Sequence, residues 1–145
     1  MNKHKHILVT FIVVMVVLLS ITAFVAADTQ GQTMNFTVFS KNYSNSSSTS
    51  LYSTSGMMAR TYIGSQSGTV GTGYMGTLPR LYTDGGQLVA MAASWRYNSS
   101  PLVGMETGTD TYGIHGTYYS QGQTKAYNGN GYTTQTTYRT PSEAY

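Results

Sequence analysis

Leu88 to Tyr97 reads LVAMAASWRY. Successive side chains of an extended chain point to opposite faces, so Val89, Met91, Ala93, Trp95 and Tyr97 share one side while Leu88, Ala90, Ala92, Ser94 and Arg96 share the other. The first set is the more apolar, which predicts a central strand covered on that face. Just before it, Leu78 to Thr83 runs into Asp84-Gly85-Gly86. That turn sequence supplies positive-φ positions, so the two segments are predicted to pair as a hairpin. Pro79 has no N–H to give to a ladder and pushes the first strand of the pair toward a sheet edge.

The same reading extends outward. Tyr112 to Ser120 alternates Tyr112, Ile114, Gly116 and Tyr118 against Gly113, His115, Thr117 and Tyr119. Thr124 to Tyr127 and Tyr132 to Thr140 flank Asn128-Gly129-Asn130-Gly131 and read as a further hairpin stopped by Pro141. Met57 to Ile63 is an earlier strand, and Asn98-Ser99-Ser100-Pro101 is a turn. No window after residue 28 sustains a 3.6-residue apolar period. All 13 tyrosines, all 16 glycines and the one tryptophan lie after residue 27, where Leu, Ile, Val and Phe supply only 13 of 118 residues. Tyrosine and threonine favour a pleated, half-buried surface and glycine disfavours helix. The expected fold class is therefore all-β, a small antiparallel β-sandwich.

A leader precedes it. Lys3, His4, Lys5 and His6 are followed by an uncharged run from Ile7 to Ala27, the pattern of a signal peptide whose small-residue exit is Val25-Ala26-Ala27. The alternative is an uncleaved anchor, because 21 residues of helix span a hydrocarbon core of about 30 Å. In either case the expected location of residues 28–145 is outside the cytoplasm, secreted or tethered to the plasma membrane through residues 7–27. The expected organisation is a leader over 1–27, a Ser/Asn-rich linker over 28–50, a sandwich domain over 51–141 and a tail over 142–145. The linker assignment rests on Asn42 to Ser50, NYSNSSSTS, which has no core-forming apolar period.

The leader also changes the charge. The whole chain carries +3. After residue 27, six basic residues stand against five acidic ones, leaving +1, and the six are scattered singly. A phosphate-tracking stripe has no basis here, so nucleic acid is not an expected partner. Zero cysteines exclude a disulfide framework, a thiol nucleophile and thiolate metal sites.

Candidate chemistry is sparse. Gly71-Thr72-Gly73-Tyr74-Met75-Gly76 matches the dinucleotide fingerprint, but no helix is predicted after it to take a pyrophosphate, so it reads as a loop between strands. His115 is the one histidine after the leader, and no nucleophile elbow accompanies it. Glu106 and Asp110 are the acids that a glycosidase pair would use, but their Gly/Thr flanks read as a loop. Neither a catalytic residue, a metal ligand nor a cofactor is assigned, and the protein is expected not to be an enzyme. The aromatic residues carry the functional reading. There are too many rings to bury in a domain of this size, so some must face outward among hydroxyl and amide groups, a surface suited to stacking on sugars. Trp95, Tyr97, Tyr118, Tyr119, Tyr132 and Tyr138 are the candidate binding residues.

The leader, the lack of cysteine, the Gly/Tyr/Thr-rich strands and the stretch GTYYSQGQTKAYNGNGYTTQTTYRTP resemble the lactococcin-type non-lantibiotic bacteriocins of Gram-positive bacteria. The resemblance spans Leu88 to Pro141 and assigns no functional residues. It implies export by a signal peptide, a small cysteine-free β-sandwich and action on cell-wall precursor at the envelope. The leading expectation is a non-enzymatic protein that binds glycan or wall material at the Gram-positive cell envelope. A bacteriocin-like toxin is the alternative, and a small secreted hydrolase stands third.

Overall fold

A computed structural model describes residues 28–52 and 55–145; the expected leader or anchor over 1–27 lies outside the described residues. The described residues are all-β, and every strand pairing among them is antiparallel. No helix among the described residues is long and apolar enough to cross a membrane.

The first sheet is built on the segment expected to be a linker. Strands β1 (Asp28–Gln30) and β2 (Met34–Val38) both pair with β3 (Lys41–Tyr52), which pairs along its length with β4 (Gly56–Ser65). The solvated linker over 28–50 is thus corrected: β3 is the longest strand among the described residues, and Tyr43, Asn45, Ser46, Ser47, Thr49 and Ser50 on it are all buried. An apolar-period reading misses it because its inward side chains are mostly hydroxyls and an amide, three of which, on Asn45, Ser47 and Thr49, bond to Thr124, Thr137 and Glu143 far along the chain. The β2–β3 turn holds Phe39 and Ser40 at φ 48° and 60°, the left-handed pair that matches strand twist in a tight hairpin.

Beyond β4 the chain builds two further sheets at once. Strand β5 (Met75–Leu78) is followed across Pro79 by β6 (Arg80–Thr83), and the two strands belong to different sheets. Pro79 therefore marks a corner rather than an edge strand, since β5 and β6 are each paired on both sides. A proline that gives up one ladder bond is well placed where pairing changes sheets. The Asp84–Gly86 hairpin forms as expected, with Gly86 at φ 88°, and leads to β7 (Leu88–Met91).

The predicted ten-residue central strand is broken. After β7 the chain leaves that sheet, crosses Ala92 to Trp95 and joins the other as β8 (Arg96–Tyr97). Both pieces are edge strands, and Leu88 and Met91 are exposed. The alternation was sound locally, but Ala92-Ala93-Ser94 offers little side chain to pack, and alanine is weak in strands. Strand β9 (Gly104–Gly108) then closes the first sheet against β4. Of the predicted strand Tyr112 to Ser120, only β10 (Thr117–Ser120) forms, Tyr112 making an isolated bridge to Met57. Gly113 and Gly116 weaken the rest. The β11 (Gln123–Tyr127) and β12 (Tyr132–Thr136) hairpin is present, with Gly129 at φ 94° in its loop. The expected tail instead adds β13 (Glu143–Ala144) to β10.

The second sheet thus runs β13-β10-β6-β7 and the third β12-β11-β5-β8. Two small apolar clusters sit between them and the first sheet. One gathers Val38, Tyr43, Ile63, Val70, Met75 and Ala126; the other gathers Met57, Ala59, Leu81 and Tyr118. Polar links fill the interface as well. Asn45 Nδ2 donates to Thr124 Oγ1 at 2.7 Å, Ser47 Oγ lies 2.7 Å from Thr137 Oγ1, and Thr49 Oγ1 donates to Glu143 Oε2 at 2.7 Å. Buried hydroxyls are tolerated when paired, which is how so few aliphatic residues hold three sheets together.

Candidate aromatic binding face

The third sheet turns one face to the core and the other outward. Met75, Thr77, Thr124 and Ala126 are fully buried on the inner face, so by alternation Gly76, Lys125 and Tyr127 belong to the outer one. Register completes it: Lys125 stands opposite Gly76, Gly76 opposite Tyr97, and Tyr127 opposite Tyr132. Tyr74 precedes β5 on the same side.

Their rings form a continuous surface. Tyr74 and Tyr127 have centroids 4.7 Å apart, Tyr127 and Tyr132 5.9 Å, and Tyr132 and Tyr97 5.2 Å. The last pair comes from strands at opposite edges of the sheet, so these two rings lean toward each other across β11 and β5. Gly76 permits this: a Cβ there would stand 2.9 Å from Tyr97 Cε1 and 3.0 Å from Cδ1. Lys125 Nζ sits 4.2 Å from the Trp95 ring centre and 5.7 Å from that of Tyr132, linking the tryptophan to the tyrosines by cation–π attraction. Backbone acceptors pin two of the rings. Tyr132 Oη donates to Gly73 O at 2.8 Å, and Tyr127 Oη donates to Gly129 O at 2.7 Å. Burial, then the neighbouring Tyr97 and Tyr127, push the Tyr132 hydroxyl above its ordinary pKa. The face nevertheless stays open, Tyr97 being 38% and Tyr132 40% exposed.

Of the six candidates read from the sequence, the structure brings three together: Trp95, Tyr97 and Tyr132. Tyr118 and Tyr119 are corrected, being only 3% and 8% exposed. Tyr118 is in the second apolar cluster, its hydroxyl donating to Ile114 O at 2.7 Å and its ring packed edge-on against Tyr112. Tyr119 stacks on Tyr82 at 5.2 Å and is covered by the Arg139 guanidinium at 3.7 Å. Tyr138 is exposed and follows β12, but its ring is not among those paired in the cluster. Tyr74, Tyr127 and Lys125 are additions. The Asn128–Gly131 hairpin was the available signal for two of them, because its register sets Tyr127 against Tyr132 and Lys125 two residues back on the same face.

The remaining candidates lie elsewhere. The Gly71–Gly76 run leads into β5 and no helix follows it. His115 stacks on Tyr145 at 4.5 Å, while Glu106 on β9 pairs with Arg60 at 3.3 Å. No group of three His, Cys, Asp or Glu that could hold a metal occurs among the described residues. No family model matches the chain, and neither a curated protein nor a solved structure does.

Proposed function

We propose that this is an exported, non-enzymatic β-sandwich protein of the Gram-positive cell envelope that binds glycan or wall material through the outer face of its third sheet. The observation that carries the reading is the unbroken run of Tyr74, Tyr127, Tyr132 and Tyr97 rings, joined to Trp95 through Lys125. Aromatic faces attract the C–H faces of pyranose rings, and their rigidity keeps the ordering cost low. Gln123 and Thr134, on the same face by register, supply amide and hydroxyl groups for sugar hydroxyls. Two tyrosine hydroxyls bonded to backbone carbonyls hold the surface in shape before a ligand arrives, which favours binding.

The test is retention of the purified protein on isolated cell walls. Trp95→Ala combined with Tyr97→Ala and Tyr132→Ala should abolish retention, whereas Tyr138→Ala should leave it intact. No retention of the wild type, or equal retention of the triple variant, sinks the reading.

A further inference from the structure

The ring surface has a charge at its centre. Lys125 Nζ lies over Trp95 and near Tyr132, yet the ion pairs among the described residues are Arg60–Glu106 and Arg139–Asp84, and neither involves it. The four strands of this sheet, MGTL, RY, QTKAY and YTTQT, contain no Asp or Glu. Arg96, the other cation on them, stands opposite the inward Thr77 and so belongs to the other face. Among the described residues the outer face of these strands therefore presents one ammonium, held by rings and paired with no protein anion.

A cation–π contact positions an ammonium while leaving the N–H donors that do not point at the ring without an acceptor. Those donors remain for an acceptor arriving from solvent, and charge-assisted bonds to an anion are the strongest available to them. Resting on the proposed glycan-binding reading, we propose that this face takes a carboxylated sugar, whose ring stacks on Trp95 or Tyr132 while its carboxylate accepts from Lys125. A uronic-acid ring fits because its carboxylate is one bond from a ring that can stack. A polyol-phosphate chain fits poorly: it has no pyranose face for the rings, and its repeating charges meet a single cation.

Calorimetric titration with three probes tests this: oligogalacturonate, the same oligosaccharide as its methyl ester, and a polyglycerol phosphate of matched length. The acid form should bind about tenfold more tightly than the ester at low salt, and the difference should shrink as salt is raised. Lys125→Gln should erase the difference between acid and ester, and Lys125→Arg should keep most of it. Trp95→Ala should weaken both forms. Equal binding of acid and ester overturns the carboxylate assignment while the glycan-binding face stands. Preferential binding of the polyol phosphate with the same dependence on Lys125 overturns it in favour of a phosphate ligand. Failure of both saccharide forms to bind also overturns it, and the cell-wall retention assay then reports separately on the face itself.

Discussion

Ser47 Oγ and Thr137 Oγ1 lie 2.7 Å apart in the buried interface, joined across 90 residues of chain. Both also accept from the Gly122 N–H at 3.0 Å, so three elements meet at one polar point. Removing one member leaves the others short of partners in a site closed to water, which costs about 1–3 kcal/mol. Thr137→Val, close to Thr in shape, should lower unfolding stability by that amount. Adding Ser47→Ala should cost less than the sum of the two single changes, because the pair is one interaction. Urea unfolding of the two single variants and the double variant checks this.

Gly122 is also sterically required. A Cβ there would overlap Thr61 Oγ1, stand 2.9 Å from Thr61 Cβ and lie 3.0 Å from Leu78 O. Thr61 is fully buried and the carbonyl is fixed by the backbone, so neither can give way cheaply. Gly122→Ala should destabilise by about 2–3 kcal/mol, read as a lower urea midpoint.

Gly76→Ala should behave differently. The clashing atoms belong to the Tyr97 ring, which can swing outward. Stability should change little, while retention on cell walls falls because Tyr97 no longer lies against Tyr132. Thermal melting run beside the retention assay separates the two effects.

Tyr43 is fully buried, and its hydroxyl has no hydrogen-bond partner among the described residues. Tyr43→Phe should therefore raise stability by about 1 kcal/mol. The same burial, with a smaller contribution from Tyr74, pushes the Tyr43 hydroxyl above its ordinary pKa, and burial does likewise at Tyr118. Groups with raised folded pKa values contribute stability that is complete below the unfolded value of about 10 and lost as pH rises through the folded one. Stability measured against pH should thus fall in the alkaline range, and Tyr43→Phe should soften that fall.

Asp84 shows the opposite sign. The hydrogen bond from Ser142, then the charge and hydrogen bond of Arg139, hold its carboxyl below the usual range. Its contribution is present above the unfolded value near about 4 and disappears as pH falls through the lower folded value. Carboxyl titration by NMR should place Asp84 below an ordinary aspartate. Ser142→Ala or Arg139→Gln should move it back up, and Arg139→Gln should also uncover the Tyr119 ring.

The all-β class was legible because glycine, threonine and tyrosine disfavour helix and no 3.6-residue period competed. The Asp84–Gly86 and Asn128–Gly131 hairpins were legible because their turns demand residues that tolerate positive φ, and both formed. Half of the candidate face was legible too, as Trp95, Tyr97 and Tyr132. Asn42 to Ser50 was not, since its hydroxyls resemble a solvated tract until Thr124, Thr137 and Glu143 are brought against them.

By itself the sequence determined that this chain would form strands, lack thiol chemistry and carry more rings than it could bury. Tertiary structure alone decided which rings stayed outside. Alternation tells which side chains share a face, but whether that face is covered depends on elements distant in the chain. Arg139 covers Tyr119, the second apolar cluster covers Tyr118, and Gly76 leaves Tyr97 lying open beside Tyr132. The same is true of Leu88 to Tyr97. Their pattern is that of a strand, but a strand persists only where neighbours pair with it, and the pairing passes from one sheet to another between Met91 and Arg96.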